Sequence, residues 1–267
     1  MKQYLTFFRI KFISGLQYRV AALAGMSTQF FWGGMLILLY RALYKQAPDL
    51  LPMDMQALAS YIWLQQATLT LFLLSSWDRE LFDAVRTGTV AYELLRPTDI
   101  YSMWTVRNAS TRLSRAALRA LPIIIFASLL PAPYGLRLTV SFPVFLLFLL
   151  SLFLMLWITV AITMLCHALS FFMEDANGIS TLLYALSDFF GGGLVPLPFF
   201  PDKLRRIAEL SPFGSTANVP LRIFGGDIPL GEIPQVMGLQ LFWAAAITLA
   251  GYLIMHRGIR RCVVAGG

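Results

Sequence analysis

Long stretches of this chain carry no charged residue, and that constrains its fold more than any other feature. Val20 to Tyr40, Met55 to Trp77, Leu138 to Met173 and Ile233 to Met255 contain no Asp, Glu, Lys or Arg. A helix needs about 20 predominantly apolar residues to cross the roughly 30 Å hydrocarbon core of a bilayer. The runs are unbroken rather than alternating, which favours helices over a transmembrane barrel. Over all 267 residues, 58% are apolar, 13% are charged and the mean hydropathy is +0.68. A soluble domain is nearer 45–50% apolar and about 25% charged. A soluble globular chain, a disordered chain and a disulfide scaffold are excluded. The two cysteines, Cys166 and Cys262, are too few and too far apart for a metal site.

The expected fold is an all-α polytopic membrane protein with one transmembrane domain over residues 1–267. Residues 1–19 read as an interfacial amphipathic helix, with Leu5, Phe8, Phe12 and Leu16 on one side and Gln3, Thr6, Ser14 and Gln17 on another. No short apolar core precedes a small-residue cleavage site, so a cleaved signal peptide is not expected. Six spans follow, at 20–40, 55–77, 109–130, 138–168, 176–197 and 233–255. Residues 41–54 form a polar loop with Pro48 and Pro52, and residues 78–107 form a charged cytosolic loop. Arg112, Arg115 and Arg119 enter the third span at helical spacing and are expected to snorkel toward headgroups. Pro131, Pro133 and Gly135 make a turn, and Glu174 and Asp175 mark another.

Basic residues orient the bundle. The N-terminal helix, the 78–107 loop with the third-span entry, and the tail hold fourteen of the 21 Lys and Arg residues. The opposite side has Arg41, Lys45, Arg137, Lys203, Arg205, Arg206 and Arg222. Both termini are therefore expected in the cytosol. The net charge of +7 reads as topology and contact with anionic membrane lipids, not as nucleic-acid binding.

Several residues stand out as candidates for function. The run from Trp77 to Pro97 has two short amphipathic pieces broken at Gly88, with Leu81 and Val85 on the first and Val90 and Leu94 on the second. Its interleaved charge suits docking to a soluble protein. Gly191, Gly192 and Gly193, followed by Pro196, Pro198 and Pro201, stop a regular helix near the outer end of the fifth span. Broken backbone at membrane depth needs protein or a water cavity over it, so residues Leu194 to about Phe213 are expected to fold back as short re-entrant helices, residues 198–232 forming an outer re-entrant or loop region. Asp188 lies about twelve residues into that span, roughly 18 Å deep at 1.5 Å per residue. An intramembrane carboxylate is a functional candidate, and Arg119 or a serine is its structural alternative partner. Gln65 and Gln66 in the second span are expected to face other helices.

No GxxxxGK[ST] loop, HExxH or GxSxG is present. The chain cannot cradle a nucleotide in the usual way, and no metal set is apparent. Two phrases nevertheless resemble a known family. Val85-Arg86-Thr87-Gly88 followed by Glu93-Leu94-Leu95-Arg96-Pro97 is similar to the cytosolic loop of type-2 ABC exporter permeases. Ser187 to Pro201, with Ser211-Pro212-Phe213 after it, is similar to that family's fifth-span signature. Leu169 to Glu174 and the final Gly266-Gly267 are weaker matches, and Asp188 departs from the small or apolar residue common there.

That resemblance implies a permease without ATPase activity in the bacterial inner membrane, pairing with an identical or sister chain. Separate ABC ATPase subunits would bind ATP and Mg, and this chain would bind no cofactor. Asp83, Arg86, Thr87, Gly88, Glu93, Leu94, Leu95, Arg96 and Pro97 would couple to the ATPase. The glycine triplet and its prolines would cap the outer mouth. The competing reading is an ATP-independent secondary transporter or channel, which would favour inverted repeats and paired broken helices. A membrane-embedded enzyme comes third, without a catalytic constellation.

The charge asymmetry predicts that a C-terminal reporter active only in the cytosol is bright. Activity from a periplasm-only reporter at that end overturns the six-span topology.

Overall fold

A computed structural model describes residues 2–46, 52–74, 78–137, 140–173 and 177–260. Pro48, Trp77, Leu138, Glu174, Asp175, Ala176, Arg261, Cys262 and Gly266-Gly267 lie outside the described residues. Among those described there are eleven α-helices and no strand. They are α1 Lys2–Leu16, α2 Arg19–Gln46, α3 Met55–Phe72, α4 Arg79–Arg86, α5 Val90–Leu94 and α6 Ile100–Leu129. Then come α7 Phe142–Leu169, α8 Asn177–Phe190, α9 Asp202–Leu210, α10 Asn218–Gly225 and α11 Ile233–Ile259. Short 3₁₀ turns follow α7 at Ser170–Phe172 and precede α9 at Leu197–Phe199.

Among the described residues, three helical segments are long and apolar enough to cross a membrane: Arg19–Gln46, Phe142–Phe172 and Ile233–Ile259. Each leaves apolar side chains uncovered, such as Leu23, Phe31 and Leu38 on α2, Phe145 and Leu149 on α7, and Leu241 and Leu249 on α11. In water these would be a liability; in a bilayer they meet acyl chains. α3 is different. Leu58 to Thr68 are all buried, so this helix is wrapped by its neighbours, α2, α6, α7 and α10.

The expected spans shift at their ends for local reasons. α2 runs on through Arg41 to Gln46, so the first part of the expected 41–54 loop is helical. α6 starts at Ile100 rather than near 109, because the Asp99 side chain accepts from the Ser102 N–H at 2.7 Å and caps it. α3 stops at Phe72, not 77, with Leu73 extended. The helix expected over 176–197 ends at Phe190. Its 14 residues span about 21 Å, less than a hydrocarbon core.

Arg112 explains where α3 ends. It does not snorkel: it is 2% exposed, deep in the bundle. Its guanidinium donates to the Leu73 carbonyl at 2.8 Å, the Leu71 carbonyl at 3.4 Å, the Asn108 side-chain oxygen at 2.8 Å and Thr163 Oγ1 at 3.2 Å. The last carbonyls of a helix have no intrahelical donor. Arg112 supplies one and places positive charge at the negative end of the helix dipole. It thereby fixes α3 to α6 and α7. Arg119 stays partly exposed. It lies across α2 over Gly25 and donates to the Ala21 carbonyl at 3.3 Å, so it is no partner for Asp188. Arg115 is exposed.

The opposite end of α3 organises the α6–α7 connection. Gln56 donates to the Gly135 carbonyl at 2.7 Å and Trp63 to the Tyr134 carbonyl at 2.8 Å, while the Arg137 N–H donates to Ser60 Oγ at 2.9 Å. α10 is buried against α3 and α7 through Val219, Leu221, Ile223 and Phe224. Gln240 of α11 ties the approach to α10 in place, donating to the Ser215 carbonyl at 2.9 Å and accepting from Ser151 Oγ at 2.9 Å.

Replacing Arg112 with Met leaves two buried carbonyls and one amide oxygen short of a donor, at about 1–3 kcal/mol each. Relief of a buried charge offsets part of this. A net loss of about 2 kcal/mol lowers Tm by roughly 4–8 °C for a chain of this size. Thermal unfolding in detergent checks it, with Arg112→Lys falling between. An Arg112→Met variant as stable as the parent refutes the capping role.

Candidate functional site

Two regions carry the residues singled out from the sequence, and α3 lies between them. The first is the helical loop made by α4 and α5. Its inner face is apolar: Leu81 and Val90 are buried, and Val85 and Leu94 pack against the main core. Thr87 caps α4, its hydroxyl donating to the Asp83 carbonyl at 2.7 Å. Gly88 follows with φ +74°, a left-handed conformation that glycine adopts without strain. That single residue turns α4 into α5.

The outer face of this loop is open to solvent. Tyr92 is 74% and Leu95 82% exposed. Arg86 and Asp83 form an exposed pair at 3.2 Å, three residues apart on α4. Arg96 and Pro97 are also exposed. Glu93 behaves differently. It points inward and accepts from Trp104 Nε1 at 2.6 Å, so it anchors the loop to α6.

Four anchoring residues were not singled out from the sequence for this loop. Trp104 holds Glu93. Arg107 pairs with Asp78 at 2.7 Å and also with Glu80. His167 stacks on Phe82 with ring centroids 4.4 Å apart. Its Nδ1 donates to the Thr163 carbonyl at 2.8 Å, and Nε2 lies 3.4 Å from the Asp78 carbonyl. Arg112 closes the set from the end of α3. One signal was available: His167 is the one histidine in a long run without Asp, Glu, Lys or Arg.

The second region is the broken end of α8. Gly192 has φ +80°, the Gly192 N–H donates to the Phe189 carbonyl and the Gly193 N–H to the Asp188 carbonyl at 2.8 Å. These are the bonds of a Schellman cap, which ends a helix at a left-handed residue. Close packing adds a second requirement. A Cβ on Gly192 would lie 2.9 Å from Leu197 Cδ1, and one on Gly193 would run into Asp188 Oδ1. Pro196 leads into the 3₁₀ turn, Pro198 is buried within it, and Pro201 precedes α9.

Gln65 links the break to the centre of the bundle: its Nε2 donates to the Gly192 carbonyl at 2.7 Å. Gln65 and Gln66 are both buried among helices, and the Gln66 carbonyl accepts from Gln29 at 2.9 Å. Asp188 sits half-buried in the last turn of α8, beside the glycine turn rather than in the middle of a continuous span. Beyond the break, Arg222 of α10 bonds both Glu209 of α9 and Asp227. Burial lowers its pKa, but the two carboxylates outweigh that and hold it above the ordinary value.

An all-α bundle with lipid-facing apolar helices, a helical loop anchored at one end and a broken helix at the other is the arrangement of a polytopic membrane protein. The family model described as ABC-2 family transporter protein matches residues 30–266, and the chain belongs to that family. It is a permease of an ABC transporter. Members of this family are generally not enzymes and typically work with ATPase subunits. No curated protein gives a significant match to the chain.

The left-handed turn predicts opposite outcomes for two glycines. Gly192→Ala forces a side chain into a conformation costing about 1–2 kcal/mol and lowers Tm. Gly178→Ala adds a methyl in open space within α8 and favours helix by up to about 1 kcal/mol. Thermal unfolding of the two variants should diverge. Equal shifts would show that the break does not depend on the Gly192 conformation.

Proposed function

We propose that this chain is the transmembrane subunit of an ATP-driven exporter, lying in the bacterial inner membrane with both termini in the cytosol. It crosses the bilayer six times and forms the translocation path with a second, identical or sister, chain. ATP and Mg are held by separate ATPase subunits, and this chain performs no catalysis. The observation that carries the reading is the two-faced α4–α5 loop. A loop whose inner side is locked to α6 and α7, and whose outer side shows Tyr92, Leu95, Arg86, Asp83 and Arg96, suits a rigid lever against a soluble partner. Aromatic and arginine side chains at such positions are the usual anchors of protein interfaces.

In this reading Thr87 and Gly88 shape the turn, Glu93 and Leu94 hold it to the bundle, and Pro97 ends it. Movement imposed by the ATPase passes through Trp104, Arg107 and His167 into α6 and α7. Arg112 then relays it to α3, and Gln65 to the glycine break. Residues from Gly191 to Phe213, with α9 and α10 near them, cap the outer mouth as re-entrant segments. α8 supports the pairing of two chains. Only Ser180 and Ser187 are buried on it, and Asp188 beside them finds no partner in lipid.

Tyr92→Ala combined with Leu95→Ala is expected to leave Tm unchanged and to weaken retention of the co-expressed ATPase subunit at least tenfold in pull-down. Glu93→Gln, by contrast, weakens an internal bond and lowers Tm. Full retention of the ATPase by the Tyr92/Leu95 double variant rules out this face as the docking surface.

A further inference from the structure

A cavity of about 670 Å³ lies between α1, the start of α2 and the stretch of α6 from Arg107 to Arg119, next to the anchored side of the α4–α5 loop. Its lining is unusually basic. Lys11 comes from α1, Arg79 from α4, and Arg107, Arg112, Arg115 and Arg119 from α6. Among the described lining residues Asp78 is the one acid, and Arg107 already holds it at 2.7 Å. Arg112 bonds only neutral acceptors. Arg119 donates to one backbone carbonyl, and its buried Nε has no acceptor. Among the described residues, Lys11, Arg79 and Arg115 have no carboxylate within ion-pair distance.

Like charges three and four residues apart on one helix destabilise it. Here they converge on a space of ligand size, within the ordinary 300–1,000 Å³ of a small-molecule site. A multivalent anion would relieve the repulsion, and guanidinium forks match phosphate oxygens best. α1 adds a second requirement. Outside the cavity lining, its Leu5, Ile10 and Ile13 are exposed and apolar, which suits contact with acyl chains.

We infer that this cavity binds the anionic, phosphate-bearing headgroup of a membrane lipid, drawn from the leaflet that α1 contacts. The inference is independent of ATP coupling and rests only on the placement of α1 at the membrane surface.

Native mass spectrometry of the full chain in detergent tests it. The probes are dioleoyl phosphatidylglycerol and dioleoyl phosphatidylcholine, which have the same tails but differ in net charge. The chain is expected to retain phosphatidylglycerol preferentially. Each basic residue near an anionic surface contributes about fivefold. Lys11→Gln with Arg115→Gln should therefore reduce that preference roughly twenty-five-fold. Lys203→Gln with Arg206→Gln on α9 removes the same charge elsewhere and should leave it unchanged. Millimolar sodium phosphate, against sodium chloride of equal ionic strength, should not displace the lipid. Equal retention of both lipids by the parent chain overturns the inference without any variant. So does an undiminished preference in the Lys11/Arg115 variant, with the single exposed-site change Arg115→Gln as the milder check on folding. Displacement by inorganic phosphate would assign the chamber to a soluble anion and overturn the lipid.

Discussion

A guanidinium buried among helix ends holds this bundle in register. Arg112 completes the unsatisfied carbonyls at the end of α3 and bonds α6 and α7 in the same stroke. In a hydrocarbon environment each orphaned backbone group costs several kcal/mol, so helix ends inside protein need internal donors. α3 is the helix with the least contact with the surroundings, and its two ends are secured in different ways. One end is held by Arg112, while the other holds the α6–α7 connection through Gln56, Ser60 and Trp63. The elements on either side take their positions from that central rod.

The same logic links the two regions of functional interest. The α4–α5 loop is bound to α6 and α7 by the Trp104–Glu93 bond, the Arg107–Asp78 pair and the Phe82–His167 stack. The break after α8 is bound to α3 by the Gln65–Gly192 bond. These are directional polar contacts in a mainly apolar core. Apolar packing tolerates sliding between helices better than such contacts do, because a displaced hydrogen bond leaves a buried group unpaired. Together these contacts run through α6, α7 and α3 between the two regions.

Much of the loop was legible in the sequence. The apolar spacing of Leu81 and Val85, and of Val90 and Leu94, gave the inner face, and Gly88 gave the turn between two helices. The roles of individual charges were not legible. Arg86 and Glu93 look equivalent in the sequence, yet Arg86 faces solvent and Glu93 is committed to Trp104. Direction depends on the rotation of a five-residue helix against α6, which no local pattern specifies. Arg112 was misread for a related reason. Arginines at a span entry snorkel when the helix faces lipid, and here the end of α3 and α7 enclose this one.

The sequence by itself determined the class of environment, the positions of the long apolar helices and the places where helix must stop. Those follow from transfer free energy, which is additive along the chain, and from the backbone limits of glycine and proline, which are local. The Gly191 to Gly193 break is the clearest case, since only glycine enters the left-handed cap at position 192 without strain. Tertiary structure alone decided which polar side chains meet. Arg112 lies 39 residues from Leu73 in the chain, and Gln65 lies 127 from Gly192. Their pairing depends on how whole helices rotate and stack, because a buried hydrogen bond requires a partner within about 3 Å in space and places no condition on distance along the sequence.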